Sequence, residues 1–502
     1  MKLHFIIENR SKIIKILITV SLILIPIINI FSQTSIMDIE VLGLSIIECI
    51  EMFLIITPFV LTIFNTNSNN KKIFFRYIIL FAVYIFFHLI NIYQFNIDVY
   101  PFMEKNYLKE IYYIIRVYLI PILLIMTLIY NPKIFNRKYF LNILKYYIII
   151  ISGTIVLCNL VGYSISTYDL SNDWIINRTH FFDIFTYQGS AVDLLTCGLF
   201  PSANQIAIML VILLPMNIYN YYKNNSTFNK ILVFLQIISM IIVGTKVAAL
   251  GAILIIIILF FTYLFFLLIK KVKLNIRFLK NYIFILIFSI IFLLISPFIA
   301  KLKEDYNFKF DKTETEIKEA YNVLNEKLSV TDFEKLMNDN NGIYRISTMF
   351  YELYPIKLDP DFWLGIAKRD SSLNNDYRVI KTDIIKRIVE RNSNVADKIF
   401  GVGYVLNFMD LEVDYVYQYY LFGYFGLFVL VLQYPILYIC KSIQFVFNRK
   451  TFKYGNIVLI LSPFFGMVCC YFSGHLFGWS GPMIILAFSI AFMCNKDVKL
   501  YG

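Results

Sequence analysis

The residues of this chain that could do chemistry are charged or imidazole side chains near the edges of apolar segments. Arg116 lies inside the apolar segment IYYIIRVYLIPILLI, and Lys246 follows a Gly-Thr turn between two more such segments. His475 lies in the glycine-rich segment YFSGHLFGWSGP. Cationic side chains bind phosphate groups, and a histidine can act as a general base or support a leaving group. The alternative explanations are snorkelling to a membrane surface for the cations and a lone interfacial hydrogen bond for the histidine.

Further candidates lie near segment boundaries and in one long polar segment that starts at about residue 301. Glu412 and Asp414 precede an apolar segment, and Asn204 lies at the start of another. Arg345 and Arg378 lie in the polar segment itself. These residues also have ordinary explanations. Carboxylates are stable at a helix N-terminus, an asparagine can hydrogen-bond a neighbouring helix, and most loop arginines are simply solvated.

The motifs of common soluble enzymes are absent from the sequence. It contains no GxxxxGK[ST] or GxGxxG nucleotide loop, no HExxH metal motif and no serine nucleophile elbow. The seven cysteines show no CxxC spacing, so they indicate neither a zinc site nor a disulfide framework. We therefore expect no metal and no cofactor.

The composition predicts an all-α polytopic membrane protein. Of the 502 residues 59% are hydrophobic and only 16% are charged, whereas soluble proteins have about 25% charged residues. The apolar residues fall in blocks of about 20, which is the length that crosses a bilayer as a helix. Alternating segments typical of a β-barrel are absent. The net charge of +12 comes from lysine and arginine in short loops, so we expect a lipid bilayer and no nucleic acid as partner.

We predict about twelve membrane-spanning helices from these apolar blocks. They cover approximately residues 12–31, 43–64, 74–93, 109–130, 142–164, 200–220, 229–244, 246–269, 279–300, 413–440, 455–473 and 479–495. Lysine and arginine concentrate in alternate loops only if the turn GTK at 244–246 separates two spans. This bias predicts that both termini are cytoplasmic and that the long loop is extracytoplasmic.

The predicted topology divides the chain into three regions. Residues 1–300 form transmembrane helices 1–9, residues 301–412 form the large extracytoplasmic loop, and residues 413–502 form helices 10–12. Within the loop, residues 377–392 form a basic amphipathic helix. This helix either packs on its neighbours or lies on the membrane surface.

Several motifs around the loop resemble a known family. They are PSANQIAIMLVILLP, GTKVAALG, KIFGVGY, LEVDYVYQYYLFGYFGL and SGHLFGWSGP, in that order. Their order and spacing resemble the bacterial O-antigen polymerase and O-antigen ligase superfamily, over roughly residues 195–490. The resemblance implies transfer of an oligosaccharide from an undecaprenyl-pyrophosphate carrier to a second glycan, outside the cytoplasmic membrane and without metal or nucleotide sugar.

On this resemblance the expected catalytic residues are His475, Arg378, Glu412 and Asp414. The expected substrate-binding residues are Arg116, Lys246, Asn204, Arg345, Gly401 and Gly403. The implied partner is the undecaprenyl-pyrophosphate-linked oligosaccharide. A chain-length regulator and a flippase of the same pathway are further candidate partners.

Polymerase is the function that we expect, in a bacterial cytoplasmic (inner) membrane, and three alternatives stay open. An O-antigen-type ligase shares the same motifs. A glycosyltransferase that uses a polyprenyl-phosphate sugar is suggested by Asp38 and Glu40 in the first outer loop. A polysaccharide flippase is the non-enzymatic alternative, although repeated halves typical of transporters are absent from the sequence.

Overall fold

The structure is a computed structural model. It describes the chain outside residues 1, 32–39, 42–43, 65, 103–104, 168–175, 178–179, 187–188, 308–321, 325–327, 340, 345, 370, 375–376, 405–412, 473 and 496–502. The described residues are predominantly helical, which confirms the predicted all-α class. In chain order the helices are α1 (Lys2–Phe31), α2 (Ile46–Ile63), α3 (Ser68–Gln94), α4 (Tyr107–Tyr130), α5 (Arg137–Val161), α6 (Ala203–Lys223), α7 (Thr227–Val243), α8 (Lys246–Leu268), α9 (Ile276–Leu294), α10 (Pro297–Asn307), α11 (Val330–Asp339), α12 (Asn341–Tyr344), α13 (Met349–Leu353), α14 (Pro360–Lys368), α15 (Tyr377–Asn392), α16 (Val395–Phe400), α17 (Asp414–Phe447), α18 (Tyr454–Phe472) and α19 (Ser480–Cys494).

Short irregular elements interrupt and connect these helices. π-Helical turns lie within α4 at Ile115–Leu119 and within α17 at Leu427–Val431. Single 3₁₀ turns are Phe181–Phe185, Ala191–Leu194, Ile356–Leu358 and Ser371–Asn374. Two antiparallel strand pairs are β1 (Glu40–Val41) with β2 (Leu44–Ser45), and β3 (Ser164–Ile165) with β4 (Ile176–Asn177).

Every predicted span falls on one of the apolar helices. In the described part of the chain ten helices are long and apolar enough to cross a membrane, and α7 and α19 are shorter apolar helices. The number of helices that cross the bilayer therefore stays a prediction. The turn GTK does separate two helices, because Gly244 adopts a left-handed conformation (φ +65°) and the Thr245 hydroxyl caps α8 by accepting from Ala248 N.

The described residues divide into two compact units. The first comprises Met1–Ala82, Ile111–Glu304 and Phe428–Gly502, and the second comprises Val83–Glu110 and Asp305–Leu427. The predicted three-region boundaries at 300 and 412 rest on membrane topology, and they stay a prediction.

The first unit is built around α6. Of the candidate spans α6 is the most buried, with 89% of its most apolar window inside the protein. α8 and α18 approach it closely, because small residues such as Gly251 and Gly466 lie in the contacts. Close packing through small residues is the usual way in which helices associate in lipid, where apolar side chains gain little by leaving the solvent.

The second unit has its own apolar core, which is centred on Trp363 and Tyr344, both fully buried. Ile380, Ile384 and Ile388 of α15 belong to that core and are at most 2% exposed. The apolar face predicted for residues 377–392 is therefore occupied by protein, which favours packing on neighbours over the membrane-surface alternative.

Candidate functional site

In the first unit, contacts along α6 determine which helix ends lie together. Short turns join α6, α7 and α8, so α8 runs parallel to α6. A Cβ atom at Gly251 in α8 would lie 3.3 Å from the Val211 side chain in α6. Lys246 and Asn204 lie one to two turns before these contact residues. They therefore lie at the same end of two neighbouring helices.

The helix α18 packs against α6 in the opposite direction. A Cβ atom at Gly455 would lie 2.7 Å from the Tyr219 ring, and the Ser462 hydroxyl donates to the Ile212 carbonyl at 2.7 Å. The C-terminal end of α18 therefore lies beside the N-terminal end of α6. His475 follows directly after α18 and lies at this same end.

The start of α4 joins this end through a hydrogen bond. The Tyr113 hydroxyl donates to the carbonyl of Gly478 at 3.2 Å, and Arg116 lies one turn further along α4. Arg116 Nη1 is 2.6 Å from Glu48 Oε1, and the Tyr112 hydroxyl donates to Glu48 Oε2 at 2.6 Å. We call this the polar end of the first unit, and its predicted residues are Arg116, Asn204, Lys246 and His475.

The segment that carries His475 has an unusual backbone. Gly474 and His475 both have positive φ, of +64° and +66°. The following residues, Leu476 and Phe477, are fully buried, whereas His475 is half-buried. Residues other than glycine rarely adopt this conformation, and where they do the surrounding structure must hold them in it. Burial of Leu476 and Phe477 thus anchors the segment that carries the His475 imidazole.

In the second unit, the Gly-x-Gly motif and the later glycine motif pack backbone against backbone. Gly401 (φ +79°, ψ 168°) and Gly423 (φ +64°, ψ −177°) occupy a region of backbone space that is essentially restricted to glycine. A Cβ atom at Gly401 would lie 2.1 Å from the carbonyl oxygen of Leu421. Gly403 N donates to that same carbonyl at 2.9 Å. Two motifs that are separate in the sequence therefore form one structural element.

A buried polar network holds this element. His88 Nδ1 is 2.6 Å from the Phe400 carbonyl, and His88 Nε2 is 2.9 Å from Glu110 Oε1. The same carboxylate oxygen accepts from Tyr404 N at 2.9 Å. The residues on both sides of the Gly-x-Gly motif are thus tied to the ends of α3 and α4 that belong to this unit.

A second branch of the network reaches Gly401 through Asp397. Asn91 Nδ2 donates to Asp397 Oδ1 and to the Gly401 carbonyl, both at 2.8 Å. Asn392 donates to Asp397 Oδ2 at 2.6 Å. Burial raises the pKa of the Asp397 carboxyl, and the hydrogen bonds from Asn392 and Asn91 oppose that rise.

Of the remaining predicted residues, Glu40 lies in the strand β1 of the first unit, and the others belong to the second unit or lie outside the described residues. Arg378 is half-buried in the first turn of α15, and Asp414 is 1% exposed at the start of α17. Glu412, Arg345 and Asp38 lie outside the described residues. The predicted site residues are thus divided between the two units.

A family model described as "O-antigen ligase like membrane protein" matches residues 11–496, which is nearly the whole chain. The chain belongs to this family. The resemblance predicted from the motifs around the long loop is therefore confirmed, and the family match extends over the N-terminal helices as well. Searches of curated proteins and of solved structures gave no match.

Family membership makes this O-antigen ligase-like protein a multi-pass membrane protein of lipid-linked glycan processing, with a glycosyltransferase-like activity. Within the described residues no group of three or more His, Cys, Asp or Glu side chains could hold a metal ion. The residues predicted at the polar end are two cations, an asparagine and a histidine, and Glu48 is the carboxylate bound to Arg116.

Sequence reasoning missed the carboxylate partners of this O-antigen ligase-like protein. Glu48 is the partner of Arg116, and Glu51, one turn later in α2, is only 4% exposed. His88 and Glu110 form the buried pair of the second unit. A signal was present, because Glu48, Glu51 and His88 interrupt apolar runs that we assigned to spans, and ionisable residues in spans are candidates for function.

Proposed function

We propose that this O-antigen ligase-like protein is a metal-independent oligosaccharide polymerase of the bacterial cytoplasmic membrane. It transfers repeat units from undecaprenyl pyrophosphate to a second lipid-linked glycan at the outer face, in the synthesis of a surface polysaccharide such as O-antigen or capsule. The observation that carries the proposal is the polar end of the first unit, where two cations and a histidine lie at the same end of the packed helices in a member of this family.

The proposed reaction is a displacement at the anomeric carbon of the carrier-linked sugar. The acceptor hydroxyl oxygen forms the new bond to this carbon, and the bond from the carbon to the pyrophosphate oxygen breaks. The hydroxyl proton passes to His475, which acts as general base. Lys246 and Arg116 stabilise the negative charge that develops on the leaving undecaprenyl pyrophosphate. For Arg378, Glu412 and Asp414 of the second unit we keep the catalytic roles that the family resemblance implies.

The ion pair at Arg116 adds a condition to this mechanism. Arg116 is bound to Glu48 at 2.6 Å, so a pyrophosphate must compete with a carboxylate for the guanidinium. A guanidinium can bind two anionic groups at once, because it has five N–H donors. In our proposal Glu48 orients Arg116, and the guanidinium edge that Glu48 leaves open binds the carrier.

The proposed orientation follows from the distribution of lysine and arginine along the loops. Both termini are cytoplasmic, and the polar end of the first unit and the segment 301–412 are extracytoplasmic. Asn204, Arg345, Gly401 and Gly403 support substrate binding there. A flippase delivers the carrier-linked repeat unit to this face, and a chain-length regulator acts on the product.

The second candidate is a ligase, because the family description names that activity. Deleting the gene and sizing the surface polysaccharide separates the candidates. Single repeat units on the surface support the polymerase, full-length chains left on the carrier support the ligase, and cytoplasmic accumulation of carrier-linked units supports a flippase.

Complementing the deletion with variants tests the residues. We expect the His475→Ala and Arg378→Ala proteins to reach normal abundance in the membrane but not to restore chain extension. Lys335→Ala, at an exposed position of α11, should restore the wild-type length distribution. A wild-type distribution from both site variants contradicts the proposed roles.

A further inference from the structure

The second unit carries an open groove of about 470 Å³ between α14 and α15. This volume lies within the range of small-ligand sites. The groove is lined by none of the residues that we predicted from the sequence as catalytic or substrate-binding. Its charged lining residues are Asp361, Arg369, Asp383, Lys386, Arg387 and Glu390.

The charges of the groove balance, since three carboxylates face three cations. A balanced lining has no net attraction for a phosphate group or a nucleic acid, both of which need an excess of positive charge. It offers alternating hydrogen-bond donors and acceptors at short spacing. Hydroxyl groups both donate and accept, so a neutral ligand rich in hydroxyl groups matches this lining best.

Two of the cations are already held in place by protein partners. Arg387 contacts both carboxylate oxygens of Asp359, at 2.7 and 3.2 Å. Arg369 contacts Asp383 and the side chain of Asn374. Because these side chains are ordered before any ligand arrives, binding costs less conformational entropy than it would with free surface arginines.

The groove also contains an aromatic ring and an exposed stretch of helix backbone. Phe362 is half-buried, and its ring is held edge-on by Trp363 and Tyr354, with centroids 5.2 and 5.6 Å away. Gly365 lies in the middle of α14 with nothing within 4 Å of a Cβ atom placed there. A glycine in a helix interior costs about 1 kcal/mol relative to alanine, and no packing contact explains it.

We propose that the groove between α14 and α15 is a glycan-binding site that holds a neutral sugar unit of the polysaccharide. One face of a sugar ring is apolar and packs on Phe362, while its hydroxyl groups bond to the arginines and carboxylates. Gly365 leaves the space that the ring occupies. The identity of the glycan rests on the proposed function, whereas the binding itself does not require turnover.

The test measures binding of a defined probe to the purified full-length protein in detergent. The probe is the set of short oligosaccharides released by mild acid from the surface polysaccharide of the source cells, and binding is followed by calorimetry. We expect Gly365→Leu to weaken binding at least tenfold and Gly365→Ala to weaken it less than threefold. Gly153→Leu is the matched control, because Gly153 also lies inside a helix with nothing within 4 Å of a Cβ atom.

The outcomes are distinct from those of the polymerase test. Neither leucine variant should lower the unfolding temperature, because both sites have room for the side chain. Wild-type protein that does not bind the oligosaccharides, or Gly365→Leu that binds them as wild type does, overturns the groove proposal. If Gly365→Leu loses binding while deletion of the gene leaves full-length chains on the carrier, the groove is supported and the polymerase proposal fails.

Discussion

His88 and Glu110 form a buried hydrogen-bonded pair inside the second unit. Their side chains are 0% and 1% exposed, and His88 Nε2 lies 2.9 Å from Glu110 Oε1. The other ring nitrogen, Nδ1, faces the carbonyl of Phe400, which can only accept, so Nδ1 carries a hydrogen. A second hydrogen must then lie between Nε2 and the carboxyl group.

Breaking this pair should destabilise the second unit. We expect His88→Ala to lower the free energy of unfolding by about 3–5 kcal/mol, because it leaves a buried acid without its partner. Glu110→Gln should cost about 1–3 kcal/mol, because the two contacts that meet at Oε1 would then be made by a neutral amide, which forms weaker hydrogen bonds than an ionised carboxylate. Thermal unfolding followed by tryptophan fluorescence measures both. Wild-type unfolding temperatures in both variants would show that the pair is not structural.

The contact between the two glycine motifs predicts intolerance of any side chain. Gly401→Ala and Gly423→Ala should each lower the free energy of unfolding by about 1–3 kcal/mol through backbone strain alone. A steric clash adds to this loss, because the new Cβ atom would lie 2.1 Å (Gly401) or 2.3 Å (Gly423) from backbone atoms. Gly365→Ala is the control, since it adds the same methyl group in open space and should be neutral or stabilising. Unfolding temperature and membrane abundance are the measurements. Equal unfolding temperatures and equal abundances for all three variants would argue against the close backbone contact between the two glycine motifs.

The pair of Arg116 and Glu48 allows a structural role to be separated from carrier binding. Arg116→Ala should lower both membrane abundance and polymer length. Exchanging the charges, with Arg116→Glu and Glu48→Arg together, should restore abundance because the ion pair is remade. Polymer length should stay at least tenfold below wild type, because the cation has moved to another helix. Recovery of polymer in the exchange variant would assign the pair a structural role only.

The proposed orientation can be tested by labelling cysteines. The sequence has no cysteine between residues 198 and 439, so Lys398→Cys and Lys273→Cys each introduce a new target in that stretch. Both positions are exposed. A membrane-impermeant maleimide should label Lys398→Cys on intact cells, and Lys273→Cys only after permeabilisation. The opposite pattern would invert the topology, and the wild-type protein provides the background.

The ion pair beneath the groove predicts acid sensitivity. Burial alone would raise the pKa of Asp359, but hydrogen bonds from Arg387, a backbone amide and Tyr354 hold the pKa below its ordinary value. An unfolded aspartate titrates near pH 3.9, so this stabilisation is present above about pH 4 and is lost as the pH falls through the lower folded pKa. Asp359→Asn should lower the unfolding temperature more at about pH 7 than at about pH 3. The exposed Asp361→Asn serves as the control. An equal loss of unfolding temperature for Asp359→Asn at both pH values would contradict the stabilising role of the Asp359 ion pair.

Some candidates were visible in the sequence because their environment is local. Arg116, Lys246 and Asn204 were found from apolar runs, and the Gly-x-Gly motif was found as a short string. Glu48 and His88 were missed although they also interrupt apolar runs, because a lone ionisable residue becomes informative only once its partner is known. That partner lies on another helix, and helical spacing does not reveal it.

The sequence by itself determined the all-α membrane class, the positions of the apolar helices and the family. A backbone in lipid must satisfy its hydrogen bonds within each segment, so every span has a local signature. Only the tertiary structure decided that Arg116 binds Glu48, that His88 binds Glu110 and that Gly401 packs on the backbone of α17. These pairings depend on the register between packed helices, which arises from side-chain contacts between distant parts of the chain and not from any local pattern.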